Sequence, residues 1–213
     1  MKLITVEQME QATERLLETG RKVGADSWQQ RVKNQTPHCK FGEEGTCCRI
    51  CSMGPCRVTP KAPRGICGCD VHGIVARNYL RFTAGGAATH SDHGRSICHT
   101  LYQAKEGGNY TVKDPEKLKR IAKEWGIETE NRDIYDLAHE TAETALMEYG
   151  KPFGISRFTS RAPEHTRKLW HDAGIEPRAI DREVSQSMHM THMGCSSLPE
   201  ALIRQSLRAG LCD

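Results

Sequence analysis

Apolar residues recur at helical spacing along most of this chain, and this pattern predicts a mainly α-helical fold. In residues 4–23 the apolar positions share one face, Thr5 can cap the start of the helix, and Gly24 can end it. Residues 71 to about 107 are helical again, with a weak point at Gly85-Gly86. No stretch shows the alternation of a β-strand. Further helices are predicted within residues 114–126, 132–150, 162–174, 177–194 and 198–210.

Residues 34–70 interrupt this pattern. They hold four prolines, several glycines and seven of the ten cysteines, but few apolar residues that could form a core. Such a segment is expected to be a loop that becomes ordered around a ligand. The fold prediction is therefore a helical domain with an N-terminal cysteine-rich loop.

Composition restricts the cellular location and the binding partners that can be expected of the protein. Thirty basic and 27 acidic residues give a net charge of +3, which offers no general case for binding nucleic acid. No apolar run approaches the roughly 20 residues that a transmembrane helix needs, and the first twenty residues lack a signal-peptide core. We therefore expect a cytoplasmic protein. In a reducing cytosol, ten cysteines favour a metal site over a disulfide framework.

The cysteine spacing predicts an iron–sulfur cluster. A [4Fe–4S] cluster needs four converging thiolates, and the run C-x2-C-x4-C-x10-C supplies them. Zinc also takes four cysteines, but zinc loops more often carry two C-x2-C pairs. Cys69 could replace Cys67 as the fourth ligand, and Cys67 is favoured because Gly68 follows it in the turn. The predicted ligands are Cys48, Cys51, Cys56 and Cys67, and the basic residues expected to offset the cluster's charge are Arg49, Arg57, Lys61 and Arg64.

Two neighbouring cysteines, Cys47 and Cys48, suggest a second cluster. Adjacent side chains point in different directions, so Cys47 faces away from the first cluster with only Cys39 as a companion. Two ligands cannot complete a cluster, but two chains related by a two-fold axis can bring two each. We therefore predict a homodimer with one shared cluster. The remaining cysteines are expected to be small buried residues: Cys98, Cys195 and Cys212.

The segment THSDHGRSICHT places His90, His93 and His99 on one predicted helix. Steps of three residues rise by about 4.5 Å, so such histidines form a staircase that can pass protons. Ser96 occupies the third step, where its hydroxyl or a water molecule would have to bridge, or the relay is broken or rerouted. The alternative is that these are ordinary polar-face histidines. Two further histidines are expected to pack or to support a site, although their spacing would also suit a metal: His189 and His192.

Together these motifs resemble the N-terminal region of anaerobic nickel–iron carbon monoxide dehydrogenases, with the hybrid-cluster proteins as more distant relatives. The resemblance covers nearly the whole chain and is carried by GTCCRICSMGPCRVTPKAPRGICG, IVARNYLR, GGAATHSDHGR, MHMTHMG and LPEALIRQSLRAGLCD. It implies a homodimer in which Cys39 and Cys47 bind the shared cluster and the other four cysteines bind the intrasubunit cluster. It also implies oxidation of CO with water to CO₂, a ferredoxin-like electron acceptor and a histidine proton relay.

In that family a buried Ni–Fe–S centre is held by a His and several Cys in later α/β domains, and this chain ends before them. We therefore expect an N-terminal part of a longer enzyme, inactive by itself. The expected organisation is an N-terminal helix in 1–33, an iron–sulfur cluster-binding segment in 34–70 and a helical domain in 71–213. Two alternatives stay open: a hybrid-cluster-type reductase, against which the Cys39 and Cys47 pair argues, and a zinc-stabilised helical interaction module.

Overall fold

The structure is a computed structural model that describes residues 6–107 and 109–213. By its internal contacts the chain divides into two compact units, the first ending at Glu44 and the second beginning at Gly45. The predicted helix cap at Thr5 lies outside the described residues. No helix in the described ranges is both long and apolar enough to cross a membrane.

From residue 6 onward, where the structure describes it, the first unit contains three helices: α1 (Val6–Lys22), α2 (Trp28–Asn34) and α3 (Lys40–Glu43). Helix α1 ends before Gly24, whose φ of 75° is readily adopted only by glycine. The Ser27 hydroxyl caps α2 by accepting a hydrogen bond from the backbone N–H of Gln30 at 3.2 Å. The sequence pattern predicted α1 but not α2 or α3, because elements of seven and four residues are too short to show helical periodicity.

The second unit is mainly helical, which confirms the predicted fold class. It opens with a two-stranded antiparallel sheet whose strands are two residues long, too short to be recognised by alternation. Helices follow to the end of the chain, together with a 3₁₀ turn at Arg157–Arg161. In chain order the elements are β1 (Cys47–Cys48), β2 (Cys56–Arg57), α4 (Val71–Gln103), α5 (Pro115–Glu124), α6 (Ile134–Tyr149), α7 (Glu164–Asp172), α8 (Ile180–Thr191) and α9 (Pro199–Cys212).

Aspartate caps set the starts of several helices where the sequence predicted them. The carboxylate of Asp114 accepts a hydrogen bond from Lys117 N at 2.9 Å, and that of Asp133 accepts from Tyr135 N at 2.8 Å. In the same way Asp70 accepts from the backbone N–H of Gly73 at 2.9 Å and begins α4. This last cap matters for the site, because α4 starts directly after the cysteine-rich loop.

Helix α4 is the central element of the second unit and packs against α6, α8 and α9. Leu80 is fully buried and shares a core cluster with Leu202 of α9. The predicted weak point at Gly85-Gly86 is wrong, since α4 continues through it without a break. Ala84 and Ala87 on either side are buried, so tertiary packing holds the helix where glycine alone would weaken it.

Candidate metal centre

One small cavity in the second unit brings five cysteines together. All four cysteines that the sequence predicted as ligands of one cluster line this cavity, and Cys69 joins them. The lining cysteines are Cys48, Cys51, Cys56, Cys67 and Cys69.

The short β-sheet places the two neighbouring cysteines on opposite sides. In its register Cys48 pairs with Cys56 and Cys47 pairs with Arg57. Directly paired residues share a face, and successive residues of a strand point to opposite faces. Accordingly Cys48 and Cys56 both line the cavity, whereas Cys47 does not. The side-chain amide of Asn78 on α4 donates to the carbonyl of Cys47 at 2.9 Å and fixes this strand against the helix.

A second tight loop, residues 64–70, closes the cavity from the other side. The backbone N–H of Gly65 donates to the carbonyl of Cys69 at 2.8 Å, and Gly68 turns the chain with a φ of 89°. The N–H of Ile66 points at the sulfur of Cys56, 3.4 Å away. Backbone donors to cysteine sulfurs are among the means by which proteins adjust an iron–sulfur cluster.

Cys67 and Cys69 differ in their surroundings. Cys69 is only 1% exposed, and its sulfur lies where a Cβ on Gly73 of α4 would collide with it. Burial raises the pKa of the Cys69 thiol, although the charge of Arg77 opposes the shift. Cys67 is half-buried at the tip of its loop. The packing of the Cys69 sulfur against the helix therefore favours Cys67 as the fourth ligand.

The donor set around the cavity consists of cysteine thiols, which bind zinc as well as iron–sulfur clusters. Four thiolates around one Zn²⁺ at about 2.3 Å would have sulfurs about 3.8 Å apart. In the described ranges, no group of three or more His, Cys, Asp or Glu side chains is gathered so that it could hold one metal ion. Five cysteines nevertheless surround one space. Four thiolates around one space are the donors that a [4Fe–4S] cluster takes at its corners.

The charge at the cavity wall comes from a residue that the sequence analysis did not identify. Arg77 of α4 lines the cavity and is 2% exposed. The four basic residues predicted from the loop are all exposed, and none of them lines the cavity: Arg49, Arg57, Lys61 and Arg64. A buried cation acts more strongly on a neighbouring charge than an exposed one, because less water screens it.

The two cysteines predicted to bind the shared cluster belong to different units. Cys39 is exposed in the first unit, directly before α3. Cys47 is partly exposed in the second unit, on the side of its strand that faces away from the cavity. Neither lines the five-cysteine cavity.

The three predicted relay histidines all lie on the unbroken helix α4, and all three are exposed. The Nδ1 atom of His90 lies 2.5 Å from Oδ1 of Asp213. The Ser96 hydroxyl, at the third step, donates to the carbonyl of Asp92 one turn back, at 3.2 Å. The helix therefore presents His90, His93 and His99 at the predicted spacing.

One expectation about another residue is wrong: Cys195 is exposed rather than buried, because it lies in the turn after α8 where Gly194 has a φ of 66°. His189 and His192 are exposed at the end of α8 and do not pack in the core, so support of a site stays the prediction for them. Cys212 is partly buried, and burial raises its pKa to about 12, so it stays a neutral thiol.

Known proteins with similar sequences and folds are carbon monoxide dehydrogenases. Carbon monoxide dehydrogenase 1 of Methanosarcina mazei is 42% identical over 207 residues, which cover 95% of this chain and 33% of that protein. Carbon monoxide dehydrogenase of Rhodospirillum rubrum is 38% identical over 193 residues, covering 86% of this chain and 30% of that protein. The crystal structure of carbon monoxide dehydrogenase from Thermococcus sp. AM4 has a TM-score of 0.86 and 42% identity, covering 93% of this chain and 32% of that one.

The chain thus spans about a third of the length of these relatives. A sequence profile described as the Prismane/CO dehydrogenase family matches residues 46–213, which include the five-cysteine cavity and the helices behind it. The resemblance stated from the motifs is confirmed, and the chain belongs to the Prismane/CO dehydrogenase family.

Proposed function

We propose that this chain is the electron-transfer part of a carbon monoxide dehydrogenase, which converts CO and water to CO₂, two protons and two electrons. The observation that carries the proposal is the convergence of Cys48, Cys51, Cys56 and Cys67 on one cavity in a chain whose relatives are named carbon monoxide dehydrogenases. These four residues would hold a [4Fe–4S] cluster within residues 34–70, the cluster-binding segment. When bound, such a cluster accepts and passes on single electrons.

The residues around the cavity prepare it for such a group. The paired strands aim Cys48 and Cys56 into it, and the N–H of Ile66 donates to the Cys56 sulfur. Ile74, which is buried, and Met53, which is exposed, add apolar atoms to the wall. Apolar surroundings and backbone donors to sulfur are among the means by which proteins adjust a cluster's reduction potential.

Cys39 and Cys47 would bind a second cluster together with the same pair from a second copy of the chain. The opposite orientation of Cys47 and Cys48 supports this proposal, since one cavity does not take both. Exposed apolar residues on α4, next to strand β1, offer a surface for that second copy: Val75, Tyr79 and Phe82. Their spacing of four and three residues puts them on one helix face.

The remaining roles concern protons, the electron acceptor and the catalytic centre. We propose that His90, His93 and His99 carry protons along α4, with Ser96 or water in the gap. The Ni–Fe–S centre would be held by other parts of a longer enzyme, so this chain by itself would not oxidise CO. Electrons would pass from the shared cluster to a ferredoxin-like protein. The proposed location is the cytoplasm of a cell that lives without oxygen.

The colour and the metal content of anaerobically purified protein test this proposal against its alternatives. A brown protein that contains iron and sulfide, and whose visible absorption bleaches with dithionite, supports the iron–sulfur function. A colourless protein with one zinc per chain would overturn it in favour of the zinc-stabilised module. A brown protein that is monomeric, with one cluster per chain, would favour the hybrid-cluster-type alternative, which has no shared cluster.

A further inference from the structure

The guanidinium of Arg77 occupies an unusual place, between the five-cysteine cavity and the end of helix α8. It donates to the carbonyl oxygens of Ser196 at 2.6 Å, His192 at 2.9 Å and Met190 at 3.4 Å, and also to that of Thr191. The carbonyls of Met190, Thr191 and His192 belong to the C-terminal end of α8, where a helix leaves acceptors without an intrahelical donor, and that of Ser196 belongs to the turn that follows. The same side chain reaches the cavity wall, so one residue of α4 joins the cavity to α8 and to the turn that follows it.

This buried cation has no acidic partner in the part of the chain that the structure describes. None of the ion pairs found there includes Arg77, and its Nε atom is buried without a hydrogen-bond acceptor. An unpaired buried charge is strongly destabilising, and carbonyl dipoles compensate it only in part. Apart from the cysteines, Arg77 is the one ionisable residue among those that line the cavity in the described ranges.

We propose that Arg77 sets the reduction potential of the group held by Cys48, Cys51, Cys56 and Cys67, as its buried counter-charge. This inference rests on the proposed function. Four thiolates and an iron–sulfur cluster carry a net negative charge, and reduction adds one more. A fixed positive charge at the wall stabilises the reduced form more than the oxidised form, and thereby raises the potential. Arg77 acts through its charge and binds no metal itself.

Helix α4 offers a matched control in Arg81, one turn further along. The Nε of Arg81 donates to the hydroxyl of Thr191 at 2.6 Å, so both arginines contact the same residue of α8. Arg81 is half-buried and does not line the cavity. Replacing either arginine by glutamine removes one charge from the same helix and a contact with the same neighbour. Only the change at Arg77 removes the charge at the cavity.

The test is a redox titration of the full chain followed by electron paramagnetic resonance, in a Cys47→Ala background so that the intrasubunit cluster gives the signal. Arg77→Gln should shift the midpoint potential to a lower value than in the Cys47→Ala parent, while Arg81→Gln should leave it unchanged. Equal potentials for Arg77→Gln and Arg81→Gln would overturn the inference and leave the proposed function intact. A parent chain without an iron–sulfur cluster would overturn both.

If Arg77→Gln does not retain iron, its potential cannot be measured, and the iron content of Arg77→Lys then tests the inference. Lysine keeps the positive charge but cannot reproduce the fork of hydrogen bonds to several carbonyls. If Arg77→Lys restores the iron content of the parent, the charge is what the site needs, as inferred. If Arg77→Lys retains as little iron as Arg77→Gln, the role of Arg77 is to hold α8 and the following turn, and the inference is refuted.

Discussion

Replacing Cys47 and Cys48 by alanine, one at a time, should remove different clusters from the protein. The two residues are neighbours in strand β1, and their partners Arg57 and Cys56 show that they point to opposite sides of the sheet. Only Cys48 lines the cavity. Losing the Cys48 sulfur should therefore empty the intrasubunit site, whereas losing the Cys47 sulfur should leave that site filled and empty the shared one.

The expected iron contents follow from the ligand count. Two chains would hold two intrasubunit clusters and one shared cluster, each with four irons, which gives about six irons per chain. Cys47→Ala should then retain about four irons per chain, and Cys48→Ala about two. Cys47→Ala should also dissociate into monomers at concentrations at which the wild type is dimeric, because two of the four thiolates that join the chains are lost.

Iron and acid-labile sulfide per chain, together with the mass from anaerobic size-exclusion chromatography, measure both effects. Cys195→Ala is a suitable control, because this cysteine is exposed and does not line the cavity, and it should keep about six irons. Equal iron loss in Cys47→Ala and Cys48→Ala would mean that both sulfurs serve one site. A dimeric Cys47→Ala protein with undiminished iron would refute the shared cluster directly.

Three further outcomes are expected. Cys67→Ala should fall to about two irons per chain while Cys69→Ala keeps about six, and the reverse order of iron contents would reassign the fourth ligand. Leu80→Ala, at a side chain with 0% exposure, should lower the free energy of unfolding in urea by about 2–5 kcal/mol. Phe153→Ala, at 81% exposure, should change it by less than about 0.5 kcal/mol, and equal losses would contradict the assigned core. Burial raises the pKa of Tyr149 to about 12, above its value of about 10 in the unfolded chain. The folded state then holds the Tyr149 proton more tightly than the unfolded chain does. Its contribution to the free energy of unfolding is intact below about pH 10 and should fall by roughly 2–3 kcal/mol as the pH rises to about 12. Tyr149→Phe should lack this loss, so parallel pH curves for the two proteins would argue against the shift.

Local sequence signals predicted the helices of the second unit well. Asp114 and Asp133 begin their helices where the sequence put them, because a cap depends on residues only two or three positions away. The continuity of α4 through Gly85-Gly86 was not predictable in this way. It depends on the burial of Ala84 and Ala87 against other elements, which no local window contains.

The site shows the same division between local and distant information. Cysteine spacing was enough to select the residues that line the cavity, since a C-x2-C pair and the loops around it act locally. Arg77 was missed because the carbonyls it contacts lie more than a hundred positions further along the chain. One signal was nevertheless present. Arg77 lies on the face of α4 that also carries Ile74 and Leu80, both buried, and a charge among apolar positions of a helix indicates a buried partner.

Two neighbouring residues of helix α4 contact the surroundings of Cys47 and of Cys48, which face opposite sides of the short sheet. Arg77 reaches the wall of the cavity that Cys48 lines, and Asn78 holds the carbonyl of Cys47. Successive residues of a helix are turned by about 100°, so a single rigid element can contact both sites. Because Cys47 and Cys48 are also joined by one planar peptide, the separation of two clusters bound to them would be set by covalent geometry and by one helix. Electron transfer requires such a constant short distance, and a pair of flexible loops would not maintain it.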